Sequence, residues 1–140
     1  MINIGFTTGV FDMFHIGHLN LLERARSMCD VLIVGVSSDS LVASYKNKVP
    51  VIIENDRLNI VKSLKCVDHA FIIEHRDKKR QFNEIKYNTL FVGDDWKGNE
   101  VWVELEEYLA LHNANVNYLS YTKNISSTKL RSIINSLSEE

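Results

Sequence analysis

Residues 2–36 read INIGFTTGVFDMFHIGHLNLLERARSMCDVLIVGV, and this stretch decides the fold. Ile2 to Thr8 has the short apolar character of a strand. From His18 the chain carries Leu19, Leu22, Ala25 and Met28 at helical spacing, so one face is apolar while Glu23, Arg24 and Arg26 turn outward. Val31 to Val36 is a run rich in β-branched residues, of the kind found in strands buried on both faces. A strand, a helix and a second buried strand in succession imply a parallel pair joined by a helical crossover.

The alternation continues outward from there. Ser37 to Glu54 lacks a clear period and contains Lys46, Lys48 and Pro50, which suits a short helix followed by a loop. Asp56 to Leu64 places Leu58, Val61 and Leu64 on one helical face. Phe71 to Ile73 and Leu90 to Val92 are short strands on either side of a helix around Arg80 to Lys86. Val101 to His112 is a further helix, Val116 to Leu119 the last strand, and Thr128 to Leu137 the last helix, with Ser126 or Ser127 as its N-cap. Six glycines and the single Pro50 argue against an all-β design, and there is no repeat or linker. The order predicts one α/β domain over residues 1–140, a Rossmann-like, doubly wound, open parallel sheet of about five strands flanked by helices. Ligands of such sheets bind beyond the carboxyl ends of the strands, where the strand order reverses. The residues following Thr8, Val36, Val92 and Leu119 are therefore the ones to inspect.

Composition narrows the class. Of the 140 residues 45% are hydrophobic and 24% charged, the balance of a globular protein. Its 16 basic residues are spread along the chain and the net charge is −2, so no nucleic-acid footprint is evident. The densest basic run, Arg76 to Arg80, is interrupted by Asp77. No window approaches the roughly 20 apolar residues of a membrane span, and the N-terminus lacks the pattern of a secretory leader. Cys29 and Cys66 form no CxxC pair and read as buried small hydrophobes in a reduced compartment. The expectation is a cytoplasmic domain with neither nucleic acid nor membrane as partner.

Between the first strand and the first helix lies Gly9-Val10-Phe11-Asp12-Met13-Phe14-His15-Ile16-Gly17-His18. A glycine-bearing turn that opens a helix offers free N–H groups and the positive end of the helix dipole to a phosphate. His15 and His18, three apart, point the same way. As N–H donors, partly charged near neutral pH, they suit charge that builds on a phosphoryl group and its leaving pyrophosphate. Gly17 lets the phosphate approach the backbone closely. The alternatives are a capping pair on the surface or a zinc site, the latter lacking a third ligand at conventional spacing.

Downstream, Lys46 and Lys48 suit mobile clamps on a triphosphate or acceptor phosphate, or a solvated loop. Asp94 and Asp95 follow a strand end, where a carboxylate accepts from ribose hydroxyls or a base amino group; an Asx turn is the other reading. Trp96 covers a base or packs. Ile125-Ser126-Ser127-Thr128 offers hydroxyls and free N–H groups at a helix start, suited both to capping and to phosphate.

Taken together these strings resemble one family. GxFDxxHxGH is similar to the signature of the cytidylyltransferase family that includes glycerol-3-phosphate and choline-phosphate cytidylyltransferases, and more distantly to the HxGH adenylyl-transferring enzymes. Lys46-Asn47-Lys48 resembles its lysine pair, and Glu54-Asn55-Asp56-Arg57 with Val67-Asp68 its ExxR…VD stretch. Gly93-Asp94-Asp95-Trp96 resembles the GDDW turn of the glycerol-3-phosphate type, and residues 125–128 the ISTT element. The resemblance covers nearly the whole chain and runs in family order. It implies transfer of CMP from CTP to a small phosphorylated acceptor, glycerol 3-phosphate or a related polyol or amino-compound phosphate, with Mg²⁺ held mainly by the nucleotide phosphates. It further implies catalytic roles for His15, His18, Lys46 and Arg57, nucleotide contacts from Gly9, Val10, Phe11, Asp12, Gly17 and Lys48, acceptor contacts from Lys46 and Lys79, and a homodimer. ATP as donor, or a silent nucleotide-binding sensor, are the competing readings. Two departures stand out: Val10 replaces a common threonine, and Tyr121 replaces the usual arginine, with Lys123 nearby as a partial substitute.

Overall fold

The computed structural model describes residues 1–120 and 127–138. Five strands alternate with helices: β1 (Ile4–Gly9), α1 (Ile16–Ser27), β2 (Val31–Ser37), α2 (Asp39–Lys46), α3 (Glu54–Lys62), β3 (His69–Ile73), α4 (Lys78–Ile85), β4 (Thr89–Gly93), α5 (Glu100–Ala110), β5 (Asn115–Leu119) and α6 (Ser127–Ser138), with one 3₁₀ turn over Asp94–Trp96. All strands are parallel, in the order β3-β2-β1-β4-β5. The fold expected from the sequence is the fold observed.

Period-2 alternation sorts the side chains onto two faces. Leu32, Val34 and Val36 of β2 pack on one face with Leu22 and Ala25 of α1 and Val61 of α3. Phe6 of β1 and Leu90 of β4, paired in register, pack on the other with Phe82 of α4, Tyr87, and Leu105 and Leu109 of α5. Helices cover both faces, so β2 needed no polar side, as its apolar run from Val31 to Val36 indicates. The reversal of strand order falls between β1 and β4, and the carboxyl ends of these two strands open the crevice that the topology provides. Cys29 and Cys66 are half-buried and unbridged.

Local capping decides where the helices start. Ser38 Oγ accepts from Leu41 N and begins α2, and Asn99 Oδ1 caps α5 through Val101 N. Asp77 Oδ1 accepts from Arg80 N, so α4 begins at Lys78, two residues before the start that apolar spacing indicates. That shift matters below, because it sets Lys78 in the first turn. Gly35 has a packing reason. A Cβ there would lie 2.8 Å from Ile73 Cγ2 and 3.2 Å from Thr8 Cγ2. Gly35→Ala is expected to lose about 1–3 kcal/mol through overpacking, measured as a lower urea midpoint with unchanged m-value; an unchanged midpoint would refute it.

Candidate active site

After β1 the chain must turn sharply into α1. Phe11 and Met13 hold positive φ, 56° and 48°, a left-handed conformation that costs a non-glycine residue on the order of 1–3 kcal/mol. Packing over-determines the first of these: the Phe11 ring lies in the core and meets His18 edge-on at 5.5 Å. The same ring accounts for Gly9, where a Cβ would fall 2.9 Å from it.

Asp12 fastens the turn to two distant segments. Its carboxylate is 4% exposed. It accepts from Val51 N at 2.8 Å and Ile52 N at 2.9 Å, and it pairs with Arg131 of α6. Its backbone carbonyl accepts from Ser127 Oγ. These contacts make Asp12 a brace for the turn. Arg57, fully buried, works from beneath. Its guanidinium donates to the carbonyls of Ile52 (2.8 Å), Val10 (2.7 Å) and Ser37 (2.8 Å) and to Asp39 Oδ1 (2.6 Å). With these donors engaged inside the protein, Arg57 holds the floor of the site and does not itself reach into the cleft.

His15 is the N-cap of α1, and the pair closes a capping box. His15 Nδ1 accepts from Gly17 N at 3.0 Å, and His18 Nδ1 accepts from His15 N at 3.2 Å. The rings stack with centroids 3.9 Å apart. Both Nδ1 atoms are acceptors, so each neutral imidazole carries its proton on Nε2. Burial pushes both imidazoles below their ordinary value; for His18, burial and then His15 bring it down to about 4, against a smaller upward pull from Asp12. Protonation would break a cap and set two cations in contact. The partly charged pair expected from the sequence is corrected accordingly: these are neutral donors aimed by their own backbone.

His18 lines a cleft at the carboxyl end of the sheet, and His15 is stacked on it from outside the lining. A larger chamber of about 760 Å³ is lined by Thr8 and Gly9 of β1, Ser37, Ile73, Val92 and Gly93 at the other strand ends, and by Tyr45, Arg76, Lys78, Trp96 and Trp102. A smaller one of about 170 Å³ lies under Lys48, Pro50, Ser127, Thr128 and Arg131. Val10, Phe11, His18 and Lys46 line both, so the two chambers meet at the histidine turn. Asn47, left-handed at the end of α2, reverses the chain so that Lys46 and Lys48 face the same chamber. Lys46 is lowered from its ordinary value by burial, then by Lys48, Arg131 and Arg76, against an upward pull from Asp12. Such mutual crowding of cations marks a place for anions.

The remaining candidates divide. Trp96 reaches the larger chamber beside Trp102, whereas Asp94 and Asp95 sit exposed on the 3₁₀ turn outside its lining. Lys79 borders the chamber with its ammonium 5.0 Å over the Tyr108 ring. Ile125 and Ser126, with Tyr121 and Lys123, lie outside the described residues. Three cationic lining residues were not singled out by the sequence. Lys78 reaches inward to Thr8 Oγ1 at 2.6 Å and is lowered to about 8 by burial and by Arg76. Arg76 lies over the Tyr45 ring at 3.9 Å. Arg131 stands four residues after Ser127 on the same helix face, a spacing that offered the one available signal.

Comparison with known proteins bears on this geometry. A family model described as cytidylyltransferase-like matches residues 6–133. The chain belongs to the cytidylyltransferase-like family. This cytidylyltransferase-like domain is 40% identical over 99 residues to the bifunctional protein HldE of Aliarcobacter butzleri (strain RM4018), covering 70% of this chain and 21% of that protein. To the HldE of Helicobacter pylori (strain HPAG1) it is 36% identical over 99 residues, again 70% of this chain and 21% of that protein. The chain thus spans about a fifth of the length of these curated relatives. A solved lipopolysaccharide core biosynthesis protein from Thermoplasma volcanium superposes with a TM-score of 0.72 at 30% identity, over 89% of this chain and all of that one. Pantothenate synthetase from Thermus thermophilus, 17% identical with a TM-score of 0.65 over 91% of this chain and 61% of that one, shares the fold. Among the described residues no helix is long and apolar enough to cross a membrane.

Proposed function

We propose that this nucleotidyltransferase domain moves CMP from CTP to a phosphate oxygen of a small phosphorylated acceptor. The acceptor oxygen forms a bond to the α-phosphorus, the bond from that phosphorus to the bridging oxygen breaks, and pyrophosphate leaves with the electron pair. A phosphate monoester is largely dianionic at neutral pH and needs no general base. Catalysis is then positioning and charge stabilisation. The observation that carries the reading is the stacked His15–His18 pair, whose Nδ1 atoms are both engaged by backbone N–H groups beside a cation-lined cleft. In it the two Nε2–H groups serve the transferring phosphoryl group and the leaving pyrophosphate, Lys46 and Lys48 grip phosphates, and the N-terminus of α6 closes the smaller chamber.

The GDDW string supports CTP, and the likeness to a lipopolysaccharide core biosynthesis protein supports a sugar or polyol phosphate as acceptor. A second reading has ATP as donor. What favours it is the larger chamber, whose volume lies toward the upper end of the range for small-molecule sites and has room for a purine. Among the described residues no cluster of three or more His, Cys, Asp or Glu side chains could hold a metal ion. In this reading Mg²⁺ enters on the triphosphate oxygens, and the working form is a homodimer.

Pyrophosphate release with Mg²⁺ tests the proposal, using CTP and ATP separately against a panel of glycerol, polyol and sugar phosphates. Acceptor-dependent release from CTP is the expected result. Release from ATP alone would replace the donor, and nucleotide binding without turnover on any acceptor would leave a sensor in place of an enzyme.

A further inference from the structure

Three of the four cations lining the larger chamber lie apart from Lys79, which sits over Tyr108: Lys46 at the end of α2, Arg76 in the β3–α4 connection, and Lys78 in the first turn of α4. Arg76 depresses both Lys46 and Lys78. The neighbouring acids are engaged elsewhere. Asp77 caps α4, and Glu74 accepts from Ser38 Oγ at 2.9 Å. Lys78 has a neutral hydroxyl as its partner, at Thr8. Asp77 and Glu104 share the lining and Asp12 pulls Lys46 upward, yet like charges gathered on one wall repel one another unless an anion joins them.

Arg76 differs from the two lysines in being held. Its guanidinium lies 3.9 Å from the centre of the Tyr45 ring, and stacking of this kind fixes the plane of a fork that recognises phosphate through two parallel N–H groups. Tyr45 is itself on α2, one residue before Lys46, so the brace and the catalytic candidate share one rigid element. The arginine that the family resemblance leads one to expect at position 121 is a tyrosine here, which leaves Arg76 as a fork of the needed kind at the cleft.

We propose that Arg76, braced on Tyr45 and flanked by Lys78, clamps the phosphate of the acceptor and sets the preference for a phosphate monoester. This rests on the nucleotidyl-transfer reading above. Arg76 acts by gripping the nucleophile's non-attacking oxygens, which leaves one oxygen free to face the α-phosphorus.

The test measures inorganic phosphate binding by calorimetry, on protein already saturated with the α,β-methylene analogue of whichever triphosphate it binds. Wild type, Arg76→Ala, Arg76→Lys and Tyr45→Leu are compared. Arg76→Ala is expected to weaken phosphate binding about tenfold or more, the loss of a charge-assisted hydrogen bond, with triphosphate affinity within about twofold of wild type. Arg76→Lys should recover part of it, and Tyr45→Leu should fall between. Unchanged phosphate affinity in Arg76→Ala, no phosphate binding by wild type, or an equal loss for phosphate and triphosphate would each overturn the assignment. Phosphate binding through Arg76 in a domain that transfers no nucleotide would instead sink the transfer reading and leave the anion subsite standing.

Discussion

His18→Asn is expected to lower kcat by about 10²- to 10³-fold, the usual consequence of removing one donor from a transition-state charge site, while the domain stays folded. The asparagine Oδ1 stands near the place of Nδ1 and can still accept from His15 N, the bond that closes the box at 3.2 Å. It loses the Nε2–H and the ring contacts with Phe11, Phe14 and His15. His18→Gln reaches further and sets an amide N–H near the Nε2 position, so it should recover part of the rate. A purely capping histidine predicts the opposite ranking, with asparagine close to wild type. If the interaction forms only as charge develops, kcat and kcat/KM fall together. The protonation state can be followed separately through the imidazole nitrogen chemical shifts of His15 and His18. Neutral Nε2–H tautomers are expected across neutral pH, with His18 titrating at about 4. A midpoint near the ordinary 6.5 would refute the caged neutral pair. The sign for stability follows from linkage. Between 6.5 and about 4 the unfolded chain binds a proton that the folded chain refuses. The contribution of His18 is therefore complete above 6.5 and is lost as the pH falls through that window.

The architecture was legible because its signals are local. Val31 to Val36 and Leu90 to Val92 are apolar without alternation, which leaves them no solvent face, and the helix of Leu58, Val61 and Leu64 between them shows its period openly. Errors gathered where a polar residue set a boundary. Asp77 sits inside a charged run and reads as one more surface residue, yet it caps α4 and swings Lys78 inward, so the inward lysine is 78 while its neighbour Lys79 stacks on Tyr108. The histidine turn could be recognised by type, but its charge state could not. A neutral pair depends on which nitrogen meets which N–H, and that is a matter of ring orientation. Arg131 and Asp12 are 119 residues apart, and no period or motif announces such a pair.

Arg57→Met is expected to destabilise the domain by about 3–5 kcal/mol, the range for breaking a buried charged network by removing one partner. At this chain length the melting temperature should fall on the order of 10 °C or more. The side chain is fully buried, and its four bonds tie together Val10 in the histidine turn, the end of β2 at Ser37, the start of α2 at Asp39, and Ile52 before α3. Removing it strands three carbonyl oxygens and an aspartate that is only partly open to water. Arg57→Lys separates the two roles open to this residue. A lysine keeps the charge but cannot reach four acceptors in the plane of a fork. If Arg57 worked by charge at the reacting phosphates, the lysine variant would hold most of the activity at full stability. The strut seen here predicts a loss of stability close to that of methionine. It also predicts that both variants lose activity as the Val10 turn loosens, and that a second-site change restoring stability would restore part of the rate. Thermal unfolding of the two variants beside wild type decides it, with equal melting temperatures for lysine and arginine ruling the strut out.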